Sequence, residues 1–64
     1  MPPIAEYLEL DRLRHREARL ARVLTVLEAR ADTMRGSGRP VPAPLASAIL
    51  GFRGDLDETR ARLR

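Results

Sequence analysis

The 64-residue chain has no cysteine, lysine or tryptophan, a single histidine, and two aromatic residues, Tyr7 and Phe52. Without cysteine there are no disulfides and no thiolate metal sites, and the redox compartment is left open. With one histidine, any metal site would rest on carboxylates. Without lysine, no glycine-rich loop can end in the lysine of a phosphate cradle, and "GSGRP" lacks the preceding strand such a loop needs. No nucleophile stands beside a base. The most apolar stretch, "VPAPLASAILGF", contains two prolines and is too short to span a bilayer. The opening "MPPIAEYLEL" lacks the basic then apolar pattern of a signal peptide. These absences predict a non-enzymatic, cytoplasmic protein with no cofactor and no membrane partner.

What remains is helical text. Twelve arginines face nine acids, for a net charge of +3. A basic balance favours anionic partners through the summed field, but here the acids are interleaved with the arginines along the chain. Ala, Leu, Arg and Glu are strong helix formers, and after Pro3 no glycine or proline appears until Gly36. Helix 1 is therefore expected over about 3–35, with Pro3 at its first position. "GSGRPVPAP" makes a turn over 36–43, with Gly36 taking the left-handed stop. Helix 2 is expected over about 44–64, with a kink at 51–54 where Gly51 and Gly54 weaken it. Asp55 and Glu58 are spaced as a capping box that would restart it.

Apolar residues step by three and four through Leu10, Leu13, Leu20, Leu24, Leu27, Ala31 and Met34, and through Leu45, Ile49, Phe52, Leu56 and Leu63. Thr59 fills the open slot of the second stripe. Two amphipathic helices on a short linker predict an all-α, antiparallel two-helix hairpin as a single domain over 1–64. Folded at the turn, Leu24 meets Leu56 and Leu27 meets Phe52. Glu17, the one carboxylate in the first stripe, arrives at the open end beside Arg60, Arg62 and Arg64. It ends the seam and fixes its register.

Helix 1 then overhangs helix 2 by about fifteen residues, roughly 20 Å. That arm carries Ile4, Tyr7, Leu8, Leu10 and Leu13, and the flanking pair Val23 and Val26 widens the stripe further along. A chain this short buries too little of its surface to be comfortable alone, and exposed apolar residues mark association surfaces. The seven residues predict a partner interface, completing a four-helix bundle with a second copy or docking on a larger helical protein. The alternative is an arginine-dependent nucleic-acid-binding or regulatory protein acting through Arg12, Arg16 and Arg19, which form a ridge able to contact anions. Against it, Glu9, Asp11 and Glu17 lie at helical spacing to pair with Arg12 and Arg14, giving a salt-bridged, solvated face. His15 is expected to be solvated, within reach of Asp11. A carboxylate metal site built on Glu17 across a dimer lacks histidine partners.

"RVLTVLEARADTMRGSGRPVP" followed by "LASAILGFRGDLDE" resembles the first half of a haemerythrin-like domain: its first helix, basic-Gly-Pro turn and second helix. The resemblance covers about 45 of the 64 residues and implies half of an up-down four-helix bundle. Such bundles hold a di-iron centre through His and carboxylates. Glu17 stands where the family's first helix has its His, with His15 two places early. The second helix ends "ETRARLR" without one. The resemblance therefore implies a half-bundle without its iron site, and no ligand residue carries over.

Overall fold

The computed structural model describes residues 3–64. Two helices, α1 (Ile4–Gly36) and α2 (Ala43–Leu63), pack as an antiparallel hairpin. No strand occurs among the described residues.

Both helices open on a proline. Pro3 (φ −58°, ψ 148°) and Pro42 (φ −59°, ψ 145°) each hold the extended geometry of a cap. The Pro3 carbonyl accepts from the N–H groups of Glu6 and Tyr7 at 3.0 and 3.2 Å, and the Pro42 carbonyl from Ala46 at 3.0 Å. Pro3 thus stands just outside the helix rather than at its first position. Its ring fixes φ near the helical value, but its ψ is extended. Pro44 sits in the first turn of α2, where no intrahelical acceptor awaits its missing N–H.

At the other end of α1 the left-handed residue is Gly38 (φ +73°), not Gly36, which remains helical. Two bonds explain the choice. The Gly38 N–H donates to the Arg35 carbonyl at 3.0 Å and the Arg39 N–H to the Met34 carbonyl at 2.9 Å. That nested pair is the Schellman stop. The hydroxyl of Ser37 donates to the Thr33 carbonyl at 3.0 Å, beside the Ser37 N–H, which donates to the same oxygen at 3.1 Å. In "GSG", continuing the helix through Gly36 lets Ser37 serve as the cap and leaves the strained conformation to the second glycine.

The kink expected at 51–54 is not a break: α2 runs as one helix through Gly51 and Gly54. Each glycine costs about 1 kcal/mol relative to Ala, but Ile49 and Leu56 are buried on either side of them and hold both halves to α1. Asp55 does not restart the helix. Its carbonyl instead accepts from the buried Thr59 hydroxyl at 2.8 Å, so a polar side chain sits in the seam with its bond made.

The core is thin. Leu24, Ala31, Ile49 and Leu56 are buried, and Leu20, Ala21, Leu27, Val41, Leu45 and Phe52 pack around them half-buried. Along one edge the helices are tied by ion pairs, Arg53 to Glu28 and Arg60 to Glu17, both at 3.0 Å. These pairs run in antiparallel order and place Glu17 beside Arg60 at the open end of the seam. At about 100° per residue, both fall on the same side of the seam. The opposite edge carries a shallow groove lined by Arg16, Arg19, Leu20, Val23 and Phe52.

Candidate partner and anion surfaces

Beyond the end of α2, α1 projects as a single helix, giving a molecule 55 Å long and about 15 Å across. Ile4, Tyr7, Leu8 and Leu10 are exposed, as are Val23 and Val26. Leu13 is half-buried. Its position explains the difference: Arg62, one residue from the end of α2, extends its guanidinium toward Glu9 (3.6 Å). Arg62 thereby lines a groove with Glu9, Leu10 and Leu13. The last turn of α2 covers the base of the arm and leaves its tip open.

Projected around α1 at about 100° per residue, the seven apolar residues do not form one patch. Leu10 and Leu13 continue the line of the seam, with Tyr7 beside Leu10. Ile4, Leu8, Val23 and Val26 lie on a different side. Leu50 of α2 is 66% exposed and was not legible as a surface residue from the stripe alone. It follows Ile49 by one residue, which turns it about 100° away from the core line, and a helical projection finds it.

The charges also sort differently from the expected local pairing. Asp11 lies against His15: the Nδ1 of His15 is 2.8 Å from the Asp11 carbonyl and 3.4 Å from its carboxylate. A carbonyl only accepts, so Nδ1 carries the hydrogen of that bond. Both side chains are well exposed, as expected for a solvated histidine. Glu9 pairs with Arg62 and Glu17 with Arg60, both across the helices. Two of the three acids expected to neutralise Arg12 and Arg14, Glu9 and Glu17, are thus engaged across the helices, and Asp11 faces His15. Among the described residues, no carboxylate comes within 4.0 Å of the Arg12, Arg14, Arg16, Arg19 or Arg22 guanidinium. A second groove runs along the arm between Leu8 and Leu13, walled by Arg12, Arg16, Arg19 and Arg62 together with Glu9 and His15.

Glu17 holds an arginine, and among the described residues no three His, Asp or Glu side chains gather as a metal site would require. No helix of the described chain is long and apolar enough to cross a membrane. Compared with family models, curated proteins and solved structures, the chain matches none.

Proposed function

We propose that this chain is a non-enzymatic helical association module, and that a second copy covers the arm of α1. One observation carries the reading. The three large aliphatic residues buried in the hairpin, Leu24, Ile49 and Leu56, are outnumbered by seven large apolar side chains left exposed, Ile4 at 79% and Tyr7 at 67% among them. The scale of exposure agrees. A compact protein of 7.2 kDa is expected to show about 4,100 Å² of surface, whereas this chain shows 5160 Å².

A second copy suits the arm because it brings an identical arm. Packed antiparallel about a two-fold axis, Tyr7, Leu10 and Leu13 of each would meet their counterparts in a self-complementary contact. The open edge at Leu20, Val23 and Phe52 would be covered if the bodies draw together into four helices. The likeness to half of a haemerythrin-like bundle points the same way and says nothing in favour of iron.

The test is a double substitution at the arm. Tyr7→Glu with Leu10→Glu places two charges where the copies meet and touches no buried residue of the hairpin. Sedimentation equilibrium is expected to show the parent as a dimer or larger and the variant shifted to monomer. Equal masses for the two proteins would contradict the reading.

A further inference from the structure

The acids and arginines that alternate along the α1 sequence are separated in space. At about 100° per residue, a face of α1 about 120° wide runs from Ile4 to Met34 without a single Asp or Glu. It carries Arg12, Arg16, Arg19, Arg22 and Arg30, all exposed. Asp11 borders this face and is taken by His15 at 3.4 Å. Glu9 and Glu17 point to the seam side, held by Arg62 and Arg60. Among the described residues, none of the five arginines has a carboxylate within 4.0 Å. Five guanidinium groups without an ion-pair partner on one side of one helix repel one another, and a polyanion relieves that repulsion.

We propose that this face of α1 binds double-helical DNA through its phosphate backbone. The choice among polyanions follows from shape and side-chain chemistry. From Arg12 to Arg30 the face is about 27 Å long, which spans about eight base-pair steps. α1 is about 10–12 Å across, so its side turned away from α2 can enter a B-form major groove about 12 Å wide. The corresponding groove of double-stranded RNA is too narrow to admit it. α2 packs about 130° round α1 from the centre of the face and does not obstruct the approach. Single strands are held by stacking on aromatic rings. This face has no Phe, Tyr or Trp: its one ring is the His15 imidazole, hydrogen-bonded to the Asp11 carbonyl, while Tyr7 projects elsewhere and Phe52 is half-buried in the seam. An interfacial membrane helix separates its apolar side from its basic side. Here Ile4, Leu8, Val23 and Val26 share the side that bears the arginines. Guanidinium groups bind phosphate oxygens in pairs, and contacts limited to the backbone give affinity without sequence preference. The line of Tyr7, Leu10 and Leu13 lies off this face, so copies joined through their arms alone, with the edge at Leu20, Val23 and Phe52 left open, present two copies of it.

The experiment is fluorescence anisotropy of a labelled short duplex titrated with the full chain at several salt concentrations. Two variants are compared with the parent: a double variant, Arg12→Gln with Arg19→Gln, both on the face, and Arg35→Gln, whose side chain pairs with Asp32 away from it. All substitutions are at exposed positions, and circular dichroism verifies that the helices are retained. Each phosphate contact contributes about −0.9 to the slope of log affinity against log salt. The parent should therefore show a slope of about −4 to −5 if all five arginines engage. The double variant should lose about 2 from that slope and bind at least tenfold more weakly at low salt, while Arg35→Gln binds as the parent does. A loss of slope by Arg35→Gln of about 1, half that of the double variant, would show a net-charge effect and overturn the proposal. So would a salt-independent signal, or binding to a single strand, duplex RNA or anionic vesicles as tight as to duplex DNA.

Discussion

Replacing Leu24 with Ala is expected to cost about 2–5 kcal/mol, enough to unfold much of the population. Leu24 is 7% exposed, and Leu56, which packs in the same cluster from α2, is 4% exposed. No side chain in the hairpin is more than 98% buried apart from the small Ala31, so there is no deeper core to fall back on. A domain of this size has about 3–10 kcal/mol of stability in total. Removing three carbons from one of four buried apolar residues therefore takes away a large share of it. Leu56→Ala should lose a similar amount, because the cavity opens from the other wall. Leu27 is only half-buried, and its truncation should fall below both. Arg12→Ala, at an exposed position without an ion pair, should change stability by no more than about 0.5 kcal/mol. Urea unfolding followed by circular dichroism at one protein concentration gives all four values. Equal losses at Leu24 and Arg12 would mean that the seam lies on another face.

The second large effect is on assembly rather than stability. Glu17→Leu should leave the helices intact, melt at or above the parent temperature, and populate larger or mixed oligomers. Glu17 interrupts the stripe between Leu13 and Leu20, with its carboxylate accepting from Arg60 Nε at 3.0 Å. The Glu17 side chain is 35% exposed and that of Arg60 50%. A pair so open to water contributes about 0–1 kcal/mol, which a leucine at the rim of the seam can offset by burial. What the leucine cannot replace is register. An uninterrupted stripe from Leu10 to Met34 lets a neighbouring helix slide by a heptad with little penalty, whereas one polar residue in the stripe fixes alignment and oligomer number. Melting curves run beside size-exclusion with light scattering distinguish the outcomes. A less stable protein with unchanged mass would contradict this account of Glu17.

The hairpin was legible because glycine and proline cluster together at one point inside the chain, over 36–44, and the apolar steps of three and four are regular on both sides of it. The register was legible for the same reason: Glu17, out of place in the stripe, meets the basic end of α2 through Arg60. Finer choices were not. "GSG" offers two glycines for one left-handed residue, and only the bonds from Gly38 and Arg39 to Arg35 and Met34 decide between them. Glycine cost suggested a kink in α2, and the helix runs on through it, with Ile49 and Leu56 buried on either side. Charge was the most misleading feature of the linear text. Glu9, Asp11 and Glu17 are close to Arg12 and Arg14 in sequence, yet Arg60 and Arg62 of α2 draw two of them across the seam. An arginine ridge that reads as neutralised is left open once the helices pack. The same projection divides the apolar arm, sending Leu10 and Leu13 along the seam and Ile4 and Leu8 to the arginine side.

The most direct test is the thermal melt of the unmodified chain over about a hundredfold range of protein concentration, since an obligate assembly ties stability to protomer concentration. If a second copy covers the arm, the midpoint rises steadily with concentration. A cooperative melt whose midpoint stays fixed across the range, from a protein of monomer mass, would contradict it.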